Sequence, residues 1–250
     1  MIRVCVAGIT GWTGSAVAEA VEAADGLELV AGVARSDQAH FSSVVEALEA
    51  VTADVLVDYT HAAVVKENVV AALEREVGVV IGSSGLSAND YDEIDALARG
   101  KGVGVIAAGN FSISAALLLR FATEAARHLP YREIIDYSSS TKPDAPSGTS
   151  RELAERLAEV SEPAMDVPVG ETHGARDARG ATLAGTQVHS VRLPSFTVST
   201  EVIFAGPGER LSIRHDAGES AAPYVAGTLL AVRAVPGRVG LTRGLDRLLD

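Results

Sequence analysis

The first half of the chain alternates short apolar runs with longer segments of helical periodicity. The apolar runs cover residues 2–7, 27–33, 54–59, 77–82 and 103–108. Such runs, rich in Val and Ile, are typical of strands buried on both faces. The intervening segments repeat apolar residues at helical spacing, and one opens with Ser87 and Asp90 at capping-box spacing. We therefore predict an α/β fold with a parallel, doubly wound sheet of the Rossmann type.

The pattern changes after residue 110. Helices are predicted over residues 112–128, 149–160 and 221–232, and strands over 133–139, 186–193, 197–205 and 209–215. Thr149 and Glu152 have the spacing of a capping box, and residues 206–209 form a plausible hairpin turn. Residues 162–179 are predicted to be an irregular loop, either a mobile cover or a plain connection. This second region is predicted to be α+β with a mixed open sheet.

Composition excludes several classes of function. The chain has 250 residues, of which 47% are hydrophobic, and its formal net charge is −12. That acidic excess disfavours binding to nucleic acid and to anionic membranes, because both need a basic face. Cys5, the only cysteine, lies in the first apolar run, so neither a disulfide nor a metal site is predicted. Without a signal-like segment or an apolar run of membrane length, we expect a cytoplasmic protein.

A glycine-rich turn joins the first strand to the first helix. It reads Gly8-Ile9-Thr10-Gly11-Trp12-Thr13-Gly14, in the strand–turn–helix context of a dinucleotide fingerprint. Gly8 permits the tight turn, while Gly11 and Gly14 let a pyrophosphate and the helix approach the backbone. The spacing differs from the standard G-x-G-x-x-G, and a plain turn also uses glycine. We predict that this turn binds a dinucleotide.

The end of the second strand indicates which dinucleotide is preferred. In NAD sites an acidic residue often lies about twenty residues beyond the glycines and binds the ribose 2′-hydroxyl. Here that position is Ala34, followed by Arg35 and Ser36. A carboxylate would repel a 2′-phosphate, whereas Arg35 would pair with one. We predict a preference for NADPH, with NADH as the second candidate; the alternative is that Arg35 is a solvated surface residue.

Three further strand ends carry polar or glycine-rich residues. Ligands of a doubly wound fold bind at the carboxyl ends of the strands, so these ends are expected to converge on one nicotinamide-ribose site. Each of them alone would be read as an ordinary loop. The residues predicted to contact the cofactor there are Tyr59, Thr60, Gly82, Ser83, Ser84, Gly109, Asn110 and Phe111.

The stretch from Tyr137 to Ser150 holds the candidate chemistry of the second region. It combines one lysine, Lys142, with a run of hydroxyls, a proline-rich turn and the start of a helix. The N–H groups of a helix N-terminus suit a carboxylate or phosphate. A lysine beside them could bind the same anion or donate a proton. The same residues could also form a turn with a surface lysine. Further polar candidates in this region, for an anion pocket or for the surface, are His173, His189, His215, Arg176, Arg179 and Arg192.

Taken in order, the motifs resemble one protein family. The segments VAGITGWTG, DYT, IGSSG, AGNFS, KPDAPSGT and GERLSIRH span nearly the whole chain. They are similar to those of dihydrodipicolinate reductase (4-hydroxy-tetrahydrodipicolinate reductase) of bacterial lysine and diaminopimelate biosynthesis. The resemblance implies hydride transfer from NAD(P)H to a small, anionic, cyclic imine or enamine dicarboxylate. The implied reaction converts 4-hydroxy-tetrahydrodipicolinate to tetrahydrodipicolinate.

The resemblance also implies domains, assembly and residue roles. It places a dinucleotide-binding domain at residues 1–109 and 217–250, and a substrate-binding domain at 110–216. The sheet of the second domain would assemble a homotetramer. Lys142 would be the proton donor of the reaction. The substrate carboxylate would be bound at the helix N-terminus by Ser147, Gly148 and Thr149.

One segment departs from the family pattern. Family members usually carry E-x-H-H-x-H just before the lysine, whereas this chain has Asp136-Tyr-Ser-Ser-Ser-Thr141. Ser138 and Ser139 then occupy catalytic positions, where serine can donate a hydrogen bond but cannot carry a positive charge near neutral pH. Two alternatives therefore stay open. One is a reductase of a different cyclic imine carboxylate, and the other is a non-catalytic NADPH-binding regulator.

Overall fold

The chain folds into two compact units. The computed structural model describes residues 1–35 and 39–249, so the predicted cofactor residue Ser36 lies outside the described residues. Unit 1 comprises Met1–Ile113 and Ser220–Asp250, and unit 2 comprises Ser114–Glu219. The functional roles assigned to the two domains remain predictions.

The described residues form eleven strands and seven α-helices, numbered here in chain order. The strands are β1 (Ile2–Ala7), β2 (Leu27–Val33), β3 (Val55–Asp58), β4 (Gly78–Ile81), β5 (Gly104–Ala107), β6 (Tyr131–Ser138), β7 (Ala181–Leu183), β8 (Thr186–Arg192), β9 (Val198–Gly206), β10 (Glu209–Asp216) and β11 (Gly240–Arg243). The helices are α1 (Trp12–Ala23), α2 (Val44–Ala50), α3 (Val65–Glu74), α4 (Ala88–Lys101), α5 (Ile113–Ala125), α6 (Gly148–Ala158) and α7 (Ala222–Ala234).

Unit 1 is built on a six-stranded sheet with the order β11-β5-β4-β3-β1-β2. Every pairing in it is parallel. The central strands β3, β4 and β5 are buried along their whole length, as expected of continuous apolar runs covered on both faces. The prediction of a parallel, doubly wound sheet is confirmed.

Unit 2 is built on a five-stranded sheet with the order β10-β9-β6-β8-β7. β6 and β8 pair in parallel, while the other pairings are antiparallel. Residues of β6 are alternately half-buried and buried, and the buried face packs against apolar residues of α5 and α6. The predicted mixed sheet is confirmed, and so is the hairpin between β9 and β10, where Gly208 has a φ of +78°.

Two capping boxes were predicted from the sequence, and the structure confirms one of them. The capping box of α4 is confirmed, since Ser87 Oγ accepts a hydrogen bond from the Asp90 N–H at 3.2 Å and the Ser87 N–H donates to the Asp90 carboxylate at 2.8 Å. The prediction for α6 was wrong. Its N-cap is Ser147 rather than Thr149, because the Ser147 hydroxyl accepts from the Ser150 N–H at 3.3 Å.

Two segments have more structure than the sequence pattern indicated. The segment that follows α7 contains β11, which pairs in parallel with β5. The 162–179 loop contains short 3-10 helices at Val169–Glu171 and Arg176–Arg179. It is connected to β6 by hydrogen bonds from Tyr131 to Asp166 at 2.7 Å and from Arg179 to Glu133 at 2.6 Å. Among the described residues, the helices are all too short or too polar to span a membrane.

Candidate active site

Loops at one edge of the unit 1 sheet carry the predicted cofactor residues. Parallel strands end at the same edge, so the loops that follow them gather there. Residues 8–14 follow β1, Arg35 follows β2, residues 59–60 follow β3, residues 82–84 follow β4 and residues 109–111 follow β5. Unit 1 thus brings together every described member of this set. Their contact with a cofactor stays a prediction.

The glycine turn after β1 is packed too closely against other backbone atoms to accept side chains at two of its positions. Gly8 has a φ of +84°, and a Cβ there would collide with the carbonyl group of Tyr59. A Cβ on Gly14 would collide with the carbonyl oxygen of Gly8. Helix α1 begins directly after Gly11, which provides no side-chain cap. The helix therefore presents its N-terminal dipole at an exposed turn without a side-chain cap, which suits a pyrophosphate.

Predicted residues at this edge differ in exposure. Thr10, Gly11, Trp12, Arg35, Ser84 and Gly109 are exposed, whereas Ser83, Asn110 and Phe111 are buried. The exposed residues can meet a ligand directly. The buried residues support the loops from inside unit 1.

Asp58 organises two of these loops, although it was not among the residues predicted to contact the cofactor. Its carboxylate is fully buried. It accepts hydrogen bonds from the Thr60 hydroxyl at 2.7 Å, the Ser83 hydroxyl at 2.5 Å and the Asn68 amide at 2.8 Å. A buried carboxylate is stable only with such partners. Asp58 therefore ties the loop after β3 to the loop after β4.

Aromatic residues also lie at this edge of the unit 1 sheet. The Tyr59 hydroxyl and the Thr228 hydroxyl are 2.7 Å apart, and the Tyr59 ring packs edge-on against Phe111 with centroids 6.1 Å apart. Gly82 is required here because a Cβ would overlap the Tyr59 ring. Burial raises the pKa of the Tyr59 hydroxyl. The phenol therefore stays neutral and serves as a rigid wall.

Trp12 is a second aromatic feature of the glycine turn. It is 52% exposed, and its ring packs edge-on against Tyr224 of α7 with centroids 5.8 Å apart. It is the only tryptophan in the chain. Its fluorescence therefore reports directly on ligands that bind at this turn.

In unit 2, Lys142 lies on the loop between β6 and α6. Its N–H donates to the carbonyl of Ser139 at 3.0 Å, and its Nζ lies 2.9 Å from Asp144 Oδ1. The side chain of Lys142 is 29% exposed. This partial exposure leaves the ammonium group accessible to a ligand.

The N-terminus of α6 is fixed to the sheet through Ser147. The Ser147 hydroxyl donates to Asp136 Oδ1 at 2.5 Å, and its N–H donates to Asp136 Oδ2 at 3.1 Å. Ser147 is buried, whereas Gly148 and Thr149 are half-buried on the first turn of the helix. Of the three predicted carboxylate-binding residues, Ser147 thus anchors the helix, while Gly148 and Thr149 offer the more exposed surface.

Asp136 is the buried centre of this region and was not among the predicted site residues. Besides Ser147, it accepts hydrogen bonds from Ser150 at 3.0 Å, Ser190 at 3.1 Å and Arg192 at 2.7 Å. Burial alone would raise its pKa, but the hydrogen bonds from Ser147 and Arg192 outweigh burial and hold the pKa below the ordinary value. Its sequence signal was its place at the start of Asp136-Tyr-Ser-Ser-Ser-Thr141, where the family pattern E-x-H-H-x-H has a glutamate.

The residues that replace the family's histidines are not equivalent. Ser138 is fully buried, and its hydroxyl donates to the carbonyl of Thr197 at 2.8 Å. The Ser139 and Thr141 hydroxyls are 2.9 Å apart and partly exposed, next to Lys142 in the chain. Ser138 therefore stabilises the connection between β8 and β9. Ser139 and Thr141 are placed to meet a ligand.

Comparisons with known proteins cover the whole chain. A family model described as dihydrodipicolinate reductase, N-terminus, matches residues 2–111, and one described as dihydrodipicolinate reductase, C-terminus, matches residues 114–249. The chain is 40% identical to the 4-hydroxy-tetrahydrodipicolinate reductase of Nocardia farcinica and 38% identical to that of Cutibacterium acnes. Each match covers 100% of this chain and 99% of the relative.

Solved structures agree with the sequence comparisons. The dipicolinate-bound dihydrodipicolinate reductase from Paenisporosarcina sp. TG-14 is 29% identical, with a TM-score of 0.79 over 100% of both chains. GenD2 from gentamicin A biosynthesis, in complex with NAD, is 17% identical, with a TM-score of 0.69 over 99% of this chain and 90% of that chain, and shares the fold. The resemblance found in the motifs is thereby confirmed, and the chain belongs to the dihydrodipicolinate reductase family of NAD(P)-binding oxidoreductases.

Proposed function

We propose that the protein reduces 4-hydroxy-tetrahydrodipicolinate to tetrahydrodipicolinate with NADPH, in lysine and diaminopimelate biosynthesis. The observation that carries this proposal is the loop from Lys142 to Thr149. It places an accessible ammonium group and an anchored helix N-terminus within a few residues of each other. A substrate that carries carboxylates and gains a proton needs both features.

The residues of unit 2 bind the substrate and supply the proton. The backbone N–H groups at Gly148 and Thr149 hold a carboxylate at the positive end of α6. Lys142 Nζ, which lies 2.9 Å from Asp144 Oδ1, donates the proton that accompanies the hydride. The 4-hydroxyl group of the substrate leaves as water, which balances the hydride and the proton that are taken up. Ser139 and Thr141 add neutral hydrogen bonds in the place of the family's histidines. The dinucleotide held by unit 1 supplies the hydride.

The edge of the unit 1 sheet fits a dinucleotide. Glycine at positions 8 and 14 lets the turn pack closely against the backbone, and the exposed N-terminus of α1, which has no side-chain cap, suits a pyrophosphate. Arg35 is exposed directly after β2, where the adenosine ribose of a bound dinucleotide is expected. Its guanidinium would pair with a 2′-phosphate, so NADPH is the proposed cofactor.

Replacing Arg35 with alanine is expected to weaken NADPH binding about tenfold to a hundredfold, because one charge-assisted contact is lost. NADH lacks the 2′-phosphate, so its affinity should barely change. Quenching of Trp12 fluorescence measures both dissociation constants. Equal affinity of the parental protein for the two cofactors would contradict the preference.

The substrate is tested by steady-state oxidation of NADPH. We expect turnover of 4-hydroxy-tetrahydrodipicolinate and little turnover of a cyclic imine with one carboxylate. The second candidate function is reduction of a different cyclic imine carboxylate. It is favoured by the absence of cationic side chains at positions 138, 139 and 141. Turnover of the monocarboxylate alone would establish that candidate and exclude the first.

The proposal includes a homotetramer that forms through the sheet of unit 2. One face of β6 is half-buried and carries Ile135 and Tyr137, and Ile203 of β9 lies on the same face. These apolar side chains lie among the charged residues Glu133 and Glu201 of the same face, and such a mixed face suits contact with a second copy of the chain. Light scattering should give about four times the mass of one chain, whereas the mass of a single chain would contradict the assembly.

A further inference from the structure

Arg192 connects the lysine loop to the sheet of unit 2. It is the last residue of β8 and pairs in register with Ser138 of β6. Its Nη2 donates to Asp136 Oδ2 at 2.7 Å and also to the backbone carbonyl of Asp144 at 2.7 Å. One nitrogen therefore bridges the buried carboxylate and the residue that pairs with Lys142.

The rest of the guanidinium fixes its orientation. Nη1 donates to the carbonyl of Val191 at 3.0 Å and more weakly to that of Asp136 at 3.4 Å. The side chain of Arg192 is only 17% exposed. A planar guanidinium held on several sides has one orientation, and a lysine ammonium cannot reproduce its fork of donors.

Asp136 extends the connection to the helix. It accepts from the hydroxyls of Ser147 and Ser150, which lie at the start of α6. The ion pair between Arg192 and Asp136 thus holds both parts of the proposed substrate site. Arg192 holds the loop that carries Lys142, and Asp136 holds the helix end that binds the carboxylate.

We propose that Arg192 is a positioning residue, which sets the place of Lys142 relative to the N-terminus of α6 by holding the carbonyl of Asp144. The inference rests on the proposed function, which makes Lys142 the proton donor. It requires no contact between Arg192 and the substrate. A displacement of about 1 Å in a reacting group can lower a rate about a hundredfold, so a change in this bridge should be visible in kcat.

Arg192→Lys is the informative variant, and Ser190→Ala is its matched control. Lysine keeps a cation beside Asp136, so the fold should be retained, but it cannot hold Asp136 and Asp144 in the same geometry. Ser190 donates to the same Asp136 oxygen at 3.1 Å, and none of its hydrogen bonds described here reaches the lysine loop. The comparison therefore separates general support of Asp136 from positioning of the loop.

For Arg192→Lys we expect kcat to fall about tenfold to a hundredfold and the dissociation constant for dipicolinate to rise. Dipicolinate is the ligand named for the similar Paenisporosarcina structure, and calorimetry measures its binding without turnover. NADPH binding and the melting temperature should stay close to the parental values. For Ser190→Ala we expect kcat and dipicolinate affinity within about threefold of parental values, since one neutral hydrogen bond is lost.

Three outcomes would overturn the proposal. Arg192→Lys could leave both kcat and dipicolinate affinity unchanged, or Ser190→Ala could lower them as much as Arg192→Lys does. Failure of Arg192→Lys to fold would make Arg192 a general stabilising residue. If the parental protein itself fails to turn over the proposed substrate, the proposed function fails, and dipicolinate affinity still tests the role of Arg192.

Discussion

Replacing Lys142 with methionine is expected to lower kcat on 4-hydroxy-tetrahydrodipicolinate by about 10²–10⁴-fold, the usual contribution of a positioned proton donor. Methionine keeps most of the aliphatic side chain and removes the ammonium group. Lys142 is partly exposed on a loop, so the fold of unit 2 should persist. Binding of NADPH, followed through Trp12 fluorescence, should be unchanged because its proposed site lies in unit 1.

Lys101→Met is the control for this substitution. Lys101 pairs with Glu74 at 2.6 Å and is 31% exposed, which closely matches the 29% of Lys142 beside Asp144. Its removal should leave kcat at the parental value. A Lys142→Met variant with parental kcat would refute the proton-donor role. If the parental protein binds NADPH but turns over no substrate, the alternative of a non-catalytic NADPH-binding regulator is favoured.

Asp136→Asn is expected to lower the free energy of unfolding of unit 2 by about 3 kcal/mol, because it leaves the mostly buried Arg192 without its charge partner. Asparagine also points an N–H₂ group at donors such as Ser147 or Ser150. Chemical denaturation measures the change. The control is Asp216→Asn in the same unit, where the pair with Arg214 is exposed and should contribute less than about 1 kcal/mol.

The same carboxylate should make unit 2 sensitive to acid. The pKa of Asp136 is lowered in the folded protein, so its contribution to stability is fully present above the pKa of the unfolded chain, about 3.9. That contribution is lost as the pH falls through the lower, folded pKa. Below about pH 4, the difference in stability between the parental protein and Asp136→Asn should therefore shrink. A difference that is constant with pH would contradict this account.

Sequence periodicity predicted the sheets because their strands are encoded locally. Continuous apolar runs specify β3, β4 and β5. β11 was missed because Gly-Leu-Thr-Arg is neither a continuous apolar run nor a clean alternation. Its pairing with β5 comes from tertiary contacts that periodicity does not record.

Of the candidate site, the sequence predicted only the parts that are contiguous in the chain. The glycine turn and the lysine loop are contiguous motifs, so their residue types reveal them. The carboxylates of Asp58 and Asp136 are different, because each has partners that lie far away in the sequence. Ser83 is separated from Asp58 by 25 positions, and Arg192 is separated from Asp136 by 56. Likewise, Ser138 and Ser139 look alike in the sequence. Ser138 is the last residue of β6 and lies on its buried face, whereas Ser139 follows the strand and is partly exposed.

The return of the chain from unit 2 to unit 1 has a consequence for synthesis on the ribosome. β11 follows all of unit 2 in the chain, yet it pairs with β5, which precedes unit 2. While unit 2 is being translated, β5 is therefore the unprotected edge of an incomplete sheet. Open edges are where strands of other molecules pair and aggregate. Unit 2, which is a single continuous stretch, can fold during that interval, whereas unit 1 has to wait for its last strand.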